Sequence, residues 1–326
     1  MPEGHSVHRI ARQFSLHFVG RRVAASSPQG RFAEGAKQIN GHTLIGSKAV
    51  GKQMFLEFDN HLWLRVHLGL YGAWDFAGDI TADATTASAG GRMGQTNQHG
   101  TITDEDAAED SNASIGAPRK TRLRMSEQET LRPVEASAFP PEPIGAVRVR
   151  LLTEVAVADL RGPTACEVLT PEQVEVVLSK LGPDPQIDKT TAAEDRFVSV
   201  ILKKPTPIAL LLMDQKVVSG IGNVYRAEML FRARLNPHTP GKHLSEETVR
   251  ALWQDWAHLL AIGVKTGQML TMDGLSPASK RKALARRADR HWVYHREGLP
   301  CRVCGTNIVM EELGGRKLYW CPKDQA

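Results

Sequence analysis

The sequence holds no run of 18 or more apolar residues and no apolar segment behind a positive amino terminus. These absences exclude a membrane-spanning helix and a secretory leader from the reading, so a cytoplasmic chain without membrane partners is expected. Cysteine is scarce, at four in 326 residues, which leaves no disulfide scaffold. Three of the four, Cys301, Cys304 and Cys321, crowd into the last 26 residues. In a reducing compartment that crowding points to a metal before a disulfide. The remaining one, Cys166, reads as a small buried residue near a domain junction. Internal repeats are missing as well.

What is present suits two or more packed domains, since 326 residues exceed a usual single domain and 41% are hydrophobic. The net charge of +5, with a pI near 9.0, gives a mild attraction to polyanions. That charge is uneven. The window from Gly78 to Pro118 carries seven acids against one base, Arg92, so the rest of the chain is more basic than the total.

The first residues, MPEGHSVHRIARQF, place Val7, Ile10, Ala11 and Phe14 at helical spacing, with Arg9 and Arg12 left to face outward. Two readings of Pro2 and Glu3 are open. They can be the entry and cap of a packed helix. Alternatively, once Met1 is removed, Pro2 is a terminal secondary amine able to attack a sugar carbon, with Glu3 beside it to move protons.

Short runs of β-formers between Gly and Asn/Asp turns follow, and the same texture returns at VRVRLLTEVAVADLRG, so residues 1–160 form one mostly β domain. It is interrupted at about 78–143 by a Gly, Ala, Ser, Thr and Asp-rich stretch expected to be a disordered surface insertion. Within this domain Lys52 follows Gly51 just ahead of an apolar strand. It is either a plain surface lysine or a strand-entrance ammonium that binds phosphate or assists elimination. Helical composition marks a second domain over 165–275. There PIALLLMDQKVVSGIGNVYRAEMLFRARLNP reads as two helices about a Gly-containing turn, with Asn223 at a helix start and Arg226, Arg232 and Arg234 supplying charge. Residues 276–326 combine a basic segment, with eight Lys or Arg against two acids over 280–302, and a hairpin turning at Gly314-Gly315. Cys301 and Cys304 form a C-x2-C knuckle, Cys321 begins a second, and Asp324 holds the place of a fourth ligand. His295 lies outside that second knuckle.

MPEGH at the start, GK before the strand, GIGNVYRAE, and the CxxCG hairpin ending in CP together resemble the formamidopyrimidine-DNA glycosylase and endonuclease VIII family of base-excision enzymes. The resemblance covers nearly all the chain apart from the insertion. It implies a multidomain α+β fold: an N-terminal β-sandwich with a leading α-helix, a helical helix-two-turn-helix domain, and a C-terminal β-hairpin zinc finger. By the same resemblance Pro2 is the nucleophile, Glu3 the acid and Lys52 the β-domain lysine. Asn223 and Arg316 become phosphate and hairpin contacts to damaged double-stranded DNA. Leu70 and Tyr71, in HLGLYGAW, match the wedge that fills the space of an extruded base.

The opening residues and LYG look like the actinobacterial endonuclease VIII-like branch, which implies oxidised pyrimidines as substrates and strand cleavage by β/δ-elimination. A purine-directed enzyme and a non-catalytic binder of abasic or nicked DNA are the alternatives. One structural zinc per chain is implied, held by Cys301, Cys304, Cys321 and Asp324, although the family closes this site with a fourth cysteine. No organic cofactor is implied. A nucleoid-associated monomer completes the expectation.

Overall fold

The computed structural model describes residues 2–80, 121–125, 130–133, 139–286 and 289–326. The chain divides into two compact units, Met1–Ser179 and Lys180–Ala326.

The first unit opens with helix α1 (Gly4–His17), whose apolar stripe of Val7, Ile10, Ala11 and Phe14 is buried as the spacing requires. Arg9 departs from expectation. It is 2% exposed and its charge acts on the buried His5, so this second helix face is covered as well.

Two antiparallel sheets follow. Strands β2 (Leu44–Val50), β3 (Gln53–Phe58), β4 (Trp63–His67) and β10 (Ala165–Leu169) form one, in the order β10-β4-β3-β2. The other runs β1-β8-β9-β5-β6-β7 and comprises β1 (Ala24–Ser26), β5 (Ala73–Gly78), β6 (Thr121–Met125), β7 (Thr130–Pro133), β8 (Val147–Leu152) and β9 (Ala156–Arg161). Alternate residues of both sheets, such as Met54, Leu56, Leu64 and Val66 against Phe76, Val149, Leu151 and Leu160, share one core with α1. Phe14 seals it edge-on to Trp74 and Phe76, at centroid distances of 4.8 and 5.1 Å. This is the expected β-sandwich with a leading helix.

Two details differ from the sequence reading. Strand β10 extends the unit past residue 160, because all five of its residues pair with β4. The stretch read as a disordered insertion contributes β6 and β7. Phe76 pairs with Leu123 and Leu123 with Leu131, and the alternating TRLRM run is of strand type. Residues 81–120, 126–129 and 134–138 of that stretch lie outside the described residues. Helices α2 (Ala33–Ile39) and α3 (Pro171–Ser179) complete the unit.

The second unit is helical: α4 (Thr191–Leu202), α5 (Ile208–Leu211), α6 (Asn223–Arg232), α7 (Glu246–Thr266) and α8 (Pro277–Ala285). Ser245 caps α7 by accepting from the Thr248 N–H, and Gly267, at φ +71°, ends it. Leu252, Trp256, Leu259 and Leu260 of α7 form the buried stripe that their spacing predicts. Strands β11 (Val309–Leu313) and β12 (Arg316–Trp320) make the C-terminal hairpin, with Gly314 and Gly315 at φ +62° and +70° in its turn. Leu318 joins the helical core, so the hairpin is packed into this unit rather than standing apart. Among the described residues no helix is long and apolar enough to cross a membrane.

Candidate active site and nucleic-acid interface

Hydrogen bonds at two points fix how α1 lies on the four-stranded sheet. Ser47 Oγ donates to Ala11 O at 2.9 Å, and Gly20 N–H donates to Leu44 O at 2.7 Å. The helix therefore runs antiparallel to β2, and its start points toward the β2–β3 turn. From Ala11 back to Glu3 the helix retreats by about 12 Å, while the strand advances from Ser47 to Lys52 by about 16 Å. Pro2, Glu3 and Lys52 thus lie at one end of the sandwich.

Lys52 sits in the two-residue turn joining β2 to β3, where Val50 pairs with Gln53 and Gly51 takes φ +57°. It is 9% exposed, so it is not a plain surface lysine. Glu3 is 1% exposed at the N-cap of α1. Its backbone carbonyl accepts from Ser6 and Val7, but its carboxylate makes no capping bond. Helix entry alone therefore does not explain a buried acid there.

Strand β4 delivers two further features to the same end. His67, its last residue, pairs with Gln53. Burial, then the charges of Lys52 and Arg65, hold its imidazole below the ordinary histidine range. Immediately beyond it the chain turns through Gly69 at φ +66°, and Gly72 N–H closes the loop on Leu68 O at 3.0 Å. A side chain at Gly69 would collide with Thr164, and one at Gly72 with the Leu68 backbone. This tight loop presents Leu70 and Tyr71 to solvent, at 45% and 83% exposure, so neither is a core residue of a strand end.

Sequence reading missed His5 and His67. His5 is buried, and desolvation together with Arg9 depresses its pKa to about 3. Unfolded, this imidazole takes a proton near pH 6.5, whereas folded it refuses one until about pH 3. Its stabilising contribution is complete above pH 6.5 and is lost as the pH falls toward 3. Between pH 7 and pH 5 the wild type should lose about 2 kcal/mol more stability than His5→Gln. Urea melts at the two pH values measure this, and equal losses in the two proteins would remove His5 as the cause.

In the second unit the helix start and the hairpin are tied directly. Asn223 Nδ2 donates to Lys317 O at 2.8 Å, and Arg226 Nη2 donates to the same carbonyl at 3.1 Å and to Asn223 Oδ1. The exposed Arg316, first residue of β12, is thereby fixed next to the amino end of α6. The charge on and just after α6 has another use than the sequence suggests. Arg226 is fully buried, Arg232 pairs with Asp255 and Asp273, and Arg234 pairs with Asp324. The basic segment divides likewise. Arg290 donates to Ala283 O and Leu284 O, and Arg296 to Trp292 O and Pro300 O, which makes both structural.

Glu228 was also missed. Fully buried, its carboxylate accepts from the consecutive N–H groups of Trp292, Val293 and Tyr294, at 2.7, 2.9 and 2.9 Å. Burial nevertheless raises its pKa, with those bonds acting in the opposite direction. It pins to α6 the segment that leads into the cysteine knuckle.

The metal site was legible. One donor atom from each of Cys301, Cys304, Cys321 and Asp324 lies within 4.8 Å of the others. Cys304 and Cys321 sulfurs are 3.5 Å apart, and Asp324 Oδ2 is 3.0 Å from Cys301 Sγ. The N–H groups of Val303 and Asp324 point at Cys301 Sγ and Cys321 Sγ, each at 3.4 Å, as knuckles do around ligating thiolates. Burial and the Asp324 bond push the Cys301 thiol up to about 12, and the same bond holds the Asp324 carboxyl below its usual range. Three sulfurs and one carboxylate oxygen in a compact group fit a single zinc ion. By contrast Cys166, half-buried against the sandwich core with its thiol raised to about 12, has the setting of a packing residue.

A sandwich with a Pro-Glu helix at one end, joined to a helical unit that carries a zinc hairpin, defines a class of DNA-repair glycosylase. The family models identify the parts. The formamidopyrimidine-DNA glycosylase N-terminal domain matches residues 1–139, its H2TH domain 181–273, and the zinc finger found in FPG and IleRS 298–326. The chain belongs to the formamidopyrimidine-DNA glycosylase and endonuclease VIII family, whose members are DNA glycosylases with AP lyase activity in base excision repair. Endonuclease 8 1 of Mycobacterium tuberculosis is 35% identical over 322 residues, covering 99% of this chain and 98% of that one. A formamidopyrimidine-DNA glycosylase of Thermus thermophilus is 36% identical over 149 residues, covering 46% and 55%. Among solved structures, a Lactococcus lactis Fpg in complex with DNA containing N7-benzyl-Fapy-dG shares the fold, with a TM-score of 0.67 at 19% identity over 99% of each chain.

Proposed function

We propose that this chain is a bifunctional glycosylase and lyase that excises oxidised pyrimidines from double-stranded DNA through the amine of Pro2. What supports the reading is that the direction of α1 along β2 and the register of β3 with β4 put Pro2, Glu3, Lys52 and the Leu70–Tyr71 loop toward the same end of the sandwich. A catalytic group and its helpers must meet at one place, and a helix cap or surface lysine need not.

With Met1 removed, the Pro2 nitrogen attacks C1′, the base departs with the electrons of the glycosidic bond, and the proton released from the Pro2 nitrogen neutralises the departing base. Opening the sugar ring breaks C1′–O4′ and requires a proton at O4′, which Glu3 supplies from beside Pro2. The iminium acidifies the C2′ proton, and its loss expels the 3′ phosphate. A second elimination then expels the 5′ phosphate. Lys52, as a buried ammonium, stabilises phosphate charge during these departures. Leu70 and Tyr71 fill the stack after the nucleotide leaves it. In the helical unit Asn223 and Arg316 hold the backbone, with the exposed basic residues of 280–302 adding charge. Cys301, Cys304, Cys321 and Asp324 would hold the zinc, which supplies structural cross-linking of the hairpin rather than chemistry.

Similarity along the full chain to an endonuclease 8 supports the pyrimidine preference. A purine-directed enzyme is the second reading, favoured by the half-chain similarity to formamidopyrimidine-DNA glycosylase. Single-turnover rates on duplexes carrying thymine glycol, dihydrouracil, 8-oxoguanine or an abasic site separate the two. The pyrimidine lesions should be excised faster than 8-oxoguanine, and the reverse order would overturn the assignment. In the same panel, Leu70→Ala with Tyr71→Ala should slow base excision more than cleavage at the abasic site, and equal slowing would remove the wedge role.

A further inference from the structure

Helix α6 ends on a residue of unusual type for its backbone. Leu235 N–H returns to Leu230 O at 2.9 Å and Arg234 N–H to Phe231 O at 3.0 Å, the paired bonds of a Schellman turn after the cap at Ala233. This turn sets Arg234 at φ +53°, where glycine is the usual occupant. A residue with a β-carbon is disfavoured there, so its side chain must return something. Arg234 Nη1 donates to Asp324 Oδ1 at 2.6 Å, and its guanidinium lies 5.8 Å from the Phe231 ring centroid. The other oxygen of that carboxylate, Oδ2, is 3.0 Å from Cys301 Sγ and 3.6 Å from Cys321 Sγ. One carboxylate is thus divided, with one oxygen on the arginine and one in the ligand cluster.

We infer that Arg234 is a positioning residue of the zinc site: by occupying Oδ1 it makes Asp324 a ligand through Oδ2 alone. The inference rests on the three-cysteine, one-aspartate reading of that site. A thiolate has one donor atom and needs no guide. A carboxylate has two, and without a partner on the outer oxygen it can swing away or bind through both. Arg234 is therefore the counterpart, ninety residues earlier in the chain, of an aspartate in a cysteine's place.

Zinc affinity, measured by chelator competition on the full-length chain, tests this in four proteins: wild type, Arg234→Gly, Asp324→Cys and the double variant. Arg234→Gly should weaken zinc binding by roughly 10- to 100-fold, the usual effect of losing a partner behind a ligand. The same change in the Asp324→Cys background should leave affinity unchanged. Glycine suits the left-handed position, so the metal-free melting temperature should stay level or rise, which separates a metal role from a folding role. Cobalt(II) gives a second readout. Arg234→Gly should alter the visible absorption of the cobalt-loaded protein when Asp324 is present, and leave it unaltered in the Asp324→Cys background. Equal losses in both backgrounds, or no loss with Asp324 present, would overturn the role of Arg234. Failure of the wild type to bind zinc would instead overturn the ligand reading itself.

Discussion

Glu3→Gln should lower base excision by roughly 10²- to 10⁴-fold, the range for loss of a positioned acid or base, while strand cleavage at a preformed abasic site persists. The two substrates differ in what they ask of the carboxyl group. An intact nucleotide keeps its sugar ring closed, so attack by Pro2 must be matched by proton delivery to the ring oxygen. An abasic sugar already opens to an aldehyde in water, and the amine condenses with it without that proton. Glutamine retains the size of a side chain that is 1% exposed at the N-cap, and no capping bond is lost. Single-turnover rates on a lesion duplex and on an abasic duplex give the comparison, with the melting temperature as a control for folding. Equal loss on both substrates would take proton delivery at the ring oxygen from Glu3 and assign it to a step that the two substrates share.

Lys52→Ala should produce the complementary defect. A buried ammonium at the β2–β3 turn, beside an imidazole whose pKa burial and then this charge lower, is placed to stabilise charge on a departing phosphate. Removing one such group costs about 10²- to 10³-fold in rate when it acts in the transition state. Binding should change little, because Arg316, Asn223 and the exposed basic residues retain their phosphate contacts. Strand cleavage at an abasic site should therefore fall while the dissociation constant for the same duplex holds. Unchanged cleavage in a folded variant would take Lys52 out of the site.

Local patterns were readable from the sequence, and distant pairings were not. The apolar spacing of α1 and α7, the glycine pair of the hairpin and the C-x2-C knuckle each lie within a few residues and obey short-range rules. The end of the sandwich to which Pro2 and Lys52 belong depends on how α1 crosses β2, and no local pattern encodes that. The arginines of α6 and the turn that follows it show the limit most clearly. Arg226, Arg232 and Arg234 read as a supply of charge, yet each meets a partner far along the chain: Lys317 O, Asp255 and Asp324. Arg290 and Arg296 make the same point inside the basic segment, where two of the charges hold backbone carbonyls. Glu228 gave one faint signal, an acid amid the apolar residues of a core helix. Its meaning depends on three N–H groups more than sixty residues away. Strands β6 and β7 escaped because the polar composition around them outweighed the nine residues of alternation they contain.

The central claim is that the Pro2 amine bonds to the sugar, and borohydride trapping tests it most directly. Protein with Met1 removed, incubated with an abasic or thymine glycol duplex and then reduced, should give a stable protein–DNA species. Peptide mapping should place the sugar on Pro2, and acetylation of the terminus or retention of Met1 should abolish the species. A cross-link that persists with the terminus blocked, or that maps to Lys52 or another lysine, would contradict the account.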